Sequence, residues 1–511
     1  MRLDIPHALA RLSAPTLLLL IAVGVTGCAS PIGISPQALL RDALSLGLPA
    51  PAPVSPLAPT PSTHAVPASG DTPASTATWW QAFGDAQLNR LVDEALQNNP
   101  GFKLAQARVA KAQAVLAYTD ANSAPQVAAS MSATRQLYSA HGLVPAAMAG
   151  KVSDSGTLQV ASSWEIDLFG RNRIALDAAI GNVRAIQADR DAARMLLASN
   201  VVRTYVQMAR LNDQLSVANQ TLAQRSQVLR LVQQRVNAGL DSALEQAQSQ
   251  AALPEAQFQI EVLQEQITLL RHTLSALLGQ PKVAPTLELP TLAGISTLAG
   301  INTLPADLLG RRPDIAAARW RVEAATQEMG SARLQFYPNI NLVAFAGLSS
   351  IGLNNLLTTD SQQWGVTPAI SLPLFQESRL RANLRGKTAD VDAAIESYNA
   401  VLVDAVRDVA EQLTSIQAIQ RQQVQQRAAQ ASTQLAYDFA KQRYEAGLSN
   451  YLSVLTAEVA VLTQRRQRVD LAARALETQV GLMRALGGGY QAELPVDQSA
   501  LEIKSPTLAP L

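Results

Sequence analysis

The chain is written twice. Asn99-Pro100 opens a helical segment running toward Pro125, and Arg312-Pro313 opens another running toward Pro338, both at an offset of 213. Arg235-Val236-Asn237-Ala238-Gly239-Leu240 returns as Arg443-Tyr444-Glu445-Ala446-Gly447-Leu448 at an offset of 208, and Leu277-Leu278-Gly279 returns as Ala485-Leu486-Gly487 at the same spacing. A period of about 200 residues marks a duplicated domain rather than a solenoid of short units. Of the 511 residues, the copies occupy 79–284 and 285–488.

Each copy reads in the same order: a helix, two strands, a very long helix, a glycine turn and another long helix. Long helices are expected at about 171–237 and 240–279 in the first copy, and at about 377–445 and 449–486 in the second. In the second copy Val391, Ile395, Tyr398, Leu402, Val406, Val409, Leu413 and Ile416 step by three or four residues; in the first, Leu215, Leu222, Leu229, Val232 and Val236 keep near-sevenfold spacing. Both patterns predict a coiled-coil-like seam. A helix over 171–237 is ~100 Å long at 1.5 Å per residue. Pro254 has no counterpart in the second copy, and a kink or break is expected there.

Strands are expected at about 125–138, 156–169, 338–349 and 362–375. Leu158, Val160, Trp164, Ile166 and Leu168 alternate with Thr157, Gln159, Ser163, Glu165 and Asp167; Ile340, Leu342, Ala344, Ala346 and Leu348 form a similar row, as do Trp364, Val366, Ile370 and Leu372. Strands of about ten residues with one apolar face have the length of an outer-membrane barrel strand, although a two-sided soluble sheet alternates too. Four strands cannot close, and open edges cannot exist in lipid. Several protomers must pool their strands; two, three or four chains satisfy the pattern.

The amino terminus carries its own signal. Arg2 and Arg11 precede the uncharged run 16–26, which ends in Val25-Thr26-Gly27-Cys28. The run is too short to span a bilayer but suits a secretory signal over residues 1–27. Small residues before a lone cysteine resemble the bacterial lipobox, which makes Cys28 the expected site of lipid attachment (palmitate among the acyl chains); two or more chains would anchor the protein stably. Residues 28–78 are the lipidated start and a tether, and ten prolines within 31–75 predict an extended, unpacked chain. Residues 489–511 form a tail.

Several classes of chemistry lack residues. One cysteine cannot form an internal disulfide, and a net charge of +1 offers nothing to nucleic acid. His7, His64, His141 and His272 show no metal-ligand spacing. Arg385-Gly386-Lys387-Thr388 fails as a phosphate loop, because Arg381 stands where the opening glycine belongs. No nucleophile elbow is present. No enzyme activity and no cofactor, apart from the covalent lipid, are expected.

Five motifs add a resemblance. They are Trp79-Trp80-Gln81-Ala82-Phe83-Gly84-Asp85; Ser163-Trp164-Glu165-Ile166-Asp167-Leu168-Phe169-Gly170-Arg171; Arg311-Arg312-Pro313-Asp314-Ile315; Phe336-Tyr337-Pro338; and Arg443-Tyr444-Glu445-Ala446-Gly447. In this order they resemble the outer-membrane channels of tripartite efflux pumps, the TolC and OprM type, in its lipoprotein branch. The resemblance implies a mainly α fold with a membrane β-barrel, in which a homotrimer closes a 12-strand barrel from four strands per chain and continues it as a periplasmic α-helical barrel. It implies a passive conduit for drugs or other small toxic compounds in multidrug resistance, served by a periplasmic adaptor (membrane fusion protein) and an inner-membrane transporter of the RND type. The alternatives are a channel for protein secretion and a lipid-anchored periplasmic scaffold.

The same resemblance implies a gate just after each glycine turn. Counting six and nine residues past the glycine gives Glu245 and Gln248 in the first copy, and Ser453 and Thr456 in the second. Only Glu245 keeps a carboxylate, so three copies of it are expected to form the acidic ring, while Tyr444 and Leu452 help hold the tunnel closed. The turns themselves, Gly239-Leu240 and Gly447-Leu448, are the expected docking tips for the adaptor.

Overall fold

The computed structural model describes residues 30–41, 78–144, 146–281, 287–297 and 311–490. Cys28, the signal, residues 42–77 of the tether and the tail from 491 onward lie outside the described residues. The elements are α1 (Ala86–Asn98), α2 (Pro100–Ala121), β1 (Gln126–Leu137), β2 (Val152–Ile166), α3 (Arg171–Asn237), α4 (Ala243–Leu278), α5 (Pro313–Leu334), β3 (Asn339–Ile351), β4 (Gln362–Ser371), α6 (Glu377–Glu445) and α7 (Tyr451–Ala485). Differences from the expected bounds have local causes. β2 starts at Val152 because pairing with β1 continues to Leu137, and α4 and α7 start later because Ser242 and Asn450 cap them. α4 runs unbroken through Pro254, where Arg225 of α3 donates to the Ala252 carbonyl at 2.8 Å.

The contacts divide the chain into two compact units, each assembled from three segments. The first takes Met1–Leu40, Val109–Ile186 and Ala318–Tyr398. Its two hairpins join as one antiparallel sheet in the order β1-β2-β3-β4, because β2 also pairs with β3. Register sorts most of the side chains by face. Val127, Met131, Leu158, Val160, Trp164, Leu342, Ala346, Trp364, Val366 and Ile370 share one face. That face is uncovered; Trp364 is 80% exposed. The other face carries Ser130, Ser132, Thr157, Gln159, Ser163, Asn341, Ser349, Gln363 and Thr367. An exposed apolar face is the inverse of a soluble sheet, which packs that face on a core.

Beneath the sheet's connections, Val322, Met329, Ala332 and Phe336 of the α5 segment pack against Leu380, Leu384, Val391 and Ile395 of α6. Ile34 joins this core, so the expected unpacked tether does not hold over residues 31–41; the rest of it lies outside the described residues. Residues 30–41 have no regular structure, yet their backbone is claimed by side chains. Arg381 donates to the Ser30 carbonyl at 2.7 Å, Arg333 to that of Ile34 at 3.2 Å, and Asp392 accepts the N–H groups of Gln37 and Ala38, each at 2.8 Å. Composition missed this strap because backbone groups, not periodic side chains, make the contacts.

The second unit takes Arg41–Arg108, Gln187–Ala317 and Asn399–Leu511. Here the motifs acquire physical roles. Trp79, Trp80 and Phe83 are buried, and Asp85 caps α1 by accepting from Gln87 and Leu88 while Tyr205 donates to it at 2.7 Å. Buried Arg312 binds Asp314 at 2.8 Å and reaches Asp408 of α6 and the Ala485 carbonyl that ends α7. The seam of this unit differs from the expected one. α3 buries Ala218, Thr221, Arg225, Val228 and Val232, whereas Leu215, Leu222 and Leu229 are half-buried. Facing it, α7 buries Tyr451, Val454, Glu458 and Val461. The Nε of Arg225 lies 3.5 Å from Glu458, and burial raises the Glu458 pKa against the opposing pull of that guanidinium.

Replacing Asp392 with Ala removes one acceptor from two strap N–H groups. The strap should then open more easily by about 1–2 kcal/mol. Faster amide exchange at Gln37 and Ala38, with faster tryptic cleavage after Arg41, is the expected readout.

Candidate functional site

The second unit contains both glycine turns. At the end of α3, the Gly239 N–H donates to the Val236 carbonyl at 2.9 Å and the Leu240 N–H to that of Arg235 at 2.9 Å. At the end of α6, Gly447 donates to Tyr444 at 3.0 Å and Leu448 to Arg443 at 2.8 Å. This is the Schellman pattern, and both glycines hold a φ of 73° that a side chain would strain. Nothing lies within 4 Å of a Cβ built on either, so conformation rather than space demands glycine. Leu240 and Leu448, the residues just past the glycines, are 65% and 69% exposed.

A clasp joins the two tips. Arg235 of α3 grips Asp241 of its own turn through Nε at 3.0 Å and Nη2 at 3.2 Å. The Tyr444 hydroxyl, at the end of α6, donates to the same carboxylate. Arg235 also donates through Nη1 to the Tyr444 carbonyl at 3.0 Å and stacks over its ring at 4.6 Å. Tyr444 is buried with Val228, Val232, Tyr437, Tyr451 and Val454, so the clasp sits at the end of an apolar seam. Burial pushes the Asp241 pKa up, but the hydrogen bonds from Arg235 and Tyr444 outweigh it and hold the carboxyl below its ordinary value. Burial, reinforced by Asp241, raises the Tyr444 pKa, keeping the phenol protonated as a donor.

The remaining candidates follow the two turns, and Glu245, Ser453 and Thr456 are occupied locally. Glu245 completes a capping box: its carboxylate accepts from the Ser242 N–H at 3.0 Å and from the Ser242 hydroxyl, and these bonds lower its pKa. In the second copy Asn450 replaces the serine cap, and Ser453 donates its N–H and hydroxyl to the Asn450 side chain. Thr456 donates to the Leu452 carbonyl at 2.8 Å, Leu452 itself is exposed, and so is Gln248. Tyr444 is therefore joined to Asp241 rather than to Glu245, Ser453 or Thr456. Sequence comparison missed Asp241 because its repeat counterpart is Ser449; a carboxylate directly after a Gly-Leu turn was the only available signal. Arg235 stood inside the repeated turn motif without a visible partner.

A sheet with an apolar outer face and two unpaired edges, together with helices ending in clasped glycine turns, defines a subunit of an oligomeric membrane channel. The chain matches the outer membrane efflux protein family over residues 91–280 and 304–488, and it belongs to that family. It is 33% identical over 429 residues to the multidrug resistance outer membrane protein MdtP of Escherichia coli, covering 81% of this chain and 87% of MdtP. Its fold superposes on the outer membrane protein VceC of Vibrio cholerae with a TM-score of 0.77 at 34% identity, covering 82% of this chain and 100% of VceC. The outer-membrane channel OprN aligns with a TM-score of 0.76 at 28% identity, covering 81% of this chain and 93% of OprN. The protein is thus an outer-membrane channel, not an enzyme: three chains pool four strands each into one barrel, their helices form a helical barrel that extends into the periplasm, and the trimer is the exit duct of a tripartite efflux pump.

Loss of the clasp should loosen the tips. Tyr444→Ala empties a buried aromatic site, a change that typically costs about 3–5 kcal/mol, whereas Tyr444→Phe removes one hydrogen bond to a carboxylate, worth about 1.5–3 kcal/mol. Resting conductance of trimers in planar bilayers should rise strongly for the first and slightly for the second. Because the folded Asp241 pKa is depressed, its stabilisation is complete above the ordinary value of about 3.9 and is lost as pH falls through the lowered one. Conductance should therefore stay flat near neutrality and rise only in stronger acid.

Proposed function

We propose that this duct carries drugs or other small toxic compounds, energised by an inner-membrane RND-type transporter through a periplasmic adaptor. The observation that carries the reading is the four-stranded sheet with its apolar outer face, because it makes the chain a wall rather than a machine. No helix among the described residues is long and apolar enough to cross a membrane. The duct is passive, so the driving force belongs to partners. The name of MdtP, a multidrug resistance outer membrane protein, supports small-molecule cargo over secreted protein. Deleting the gene should sensitise cells to drugs while leaving protein secretion intact; the reverse pattern would favour the secretion channel.

Adaptor docking is assigned to Gly239-Leu240 and Gly447-Leu448. Two exposed leucines, each just past a rigid Schellman turn, give each chain two similar apolar knobs, hence six per trimer. Photocrosslinkers at Leu240 and Leu448 should capture the adaptor, and capture only from other surfaces would move the docking site. At the amino terminus, Cys28 carries the lipid (palmitate among its chains), after removal of a signal peptide. The strap supports this anchor, since Arg381 holds Ser30, two residues from Cys28, in the same unit as the membrane sheet.

Three copies of Glu245 form the acidic ring of the gate, with Gln248, Leu452, Ser453 and Thr456 lining the same region. Glutamine also serves in a capping box, so Glu245→Gln removes the charge and spares the helix start. The variant trimer should assemble normally and show markedly weaker cation selectivity in bilayer recordings.

A further inference from the structure

The polar face of the sheet contains one level that is not polar. Ala128, Ala161, Phe345 and Gly365 pair in register across all four strands. The level on one side is Gln126, Ser163, Val343 and Thr367; on the other it is Ser130, Gln159, Gly347 and Gln363. Phe345 is the sole aromatic residue of this face among the described strands. Its partner explains its posture. A Cβ built on Gly365 would lie 2.7 Å from Cε1 and 2.8 Å from Cζ of the ring. The ring therefore lies across the backbone of Gly365, a cross-strand aromatic–glycine pairing that covers the bare glycine and keeps the ring flat on the wall.

With the apolar face toward lipid, the Phe345 face lines the barrel lumen, and the threefold trimer repeats this band three times. We propose that the Phe345 band is a weak contact site for aromatic or otherwise flat apolar solutes passing through the barrel, and that Gly365 is the positioning residue that parks its ring against the wall. The levels above and below offer such a solute mainly hydroxyl and amide groups, with Val343 their one apolar side chain, whereas the ring and the flanking small residues admit face-to-face stacking. A contact of that strength delays a permeant without trapping it, as conduction requires. Any side chain at position 365 would lift the ring into the lumen. The inference rests on the channel reading, and the test below separates the two.

Trimers in planar bilayers should be recorded with tetraphenylphosphonium, a flat-ringed apolar cation, added to each side in turn. The wild-type trimer should show block events, and Phe345→Ser should shorten their residence by about two- to tenfold, the span of a single aromatic contact. Gly365→Ala should lower open-channel conductance, and adding Phe345→Ser to it should restore conductance to that of Phe345→Ser alone. Unchanged residence in Phe345→Ser overturns the contact site. An equal loss of conductance from Gly365→Ala with or without the ring overturns the positioning role. A wild-type trimer that conducts no ions overturns the channel reading itself.

Discussion

The backbone of β1 and β4 sets the terms for everything else. Each strand pairs on one side only, so each presents a row of N–H and carbonyl groups with no strand partner among the described residues. In water such an edge is tolerable, but in hydrocarbon every unsatisfied group costs several kcal/mol. The apolar face leaves the sheet no soluble alternative, since Trp364, Val366, Ile370 and Met131 have no core to enter. Closure with other copies is the single arrangement that pairs the edges and buries the apolar face in lipid. Oligomerisation is thus a condition of the fold rather than an addition to it.

The helices obey a different economy. Their seam carries charge where a coiled coil would carry leucine: Arg225 and Glu458 face each other in the interior, and Arg235 with Asp241 closes the end. Buried pairs of this kind add little net stability, yet breaking one by removing a partner is strongly destabilising, because the other charge stays behind. Such contacts specify which helices meet, and in what register, more than they strengthen the bundle. Tyr444 completes the arrangement by covering Arg235 with its ring and satisfying Asp241 with its hydroxyl.

Duplication gave the two tips one backbone and different electrostatics. Both turns share the Schellman bonds and a φ of 73°, but the first places Asp241 and a Ser242–Glu245 capping box where the second has Ser449 and an Asn450 cap. The clasp is consequently asymmetric: the first turn supplies the carboxylate, and the second copy supplies the phenol. Repeated geometry makes two docking tips, while divergence of a few side chains lets one tip hold the other.

Much of this was legible in the chain, for physical reasons. Alternation in Leu158, Val160 and Trp164 exposes a strand with two environments, and self-comparison exposes the duplicated turns, because glycine at a left-handed position leaves a one-letter trace. Strand length and the impossibility of open edges in lipid then demanded several protomers. What escaped were contacts made by groups without periodicity. The strap over residues 30–41 is held through its backbone carbonyls and N–H groups, which every sequence possesses equally. The α3 seam runs through Ala218, Thr221 and Arg225, so a search for leucines selects the neighbouring stripe. Asp241 acquires its role only when Arg235 and Tyr444, 209 residues apart in the chain, come together around it. Hydrophobic period and backbone conformation are local properties, and sequence determined them; which charges meet across helices is a property of packing, and only the tertiary structure decided it.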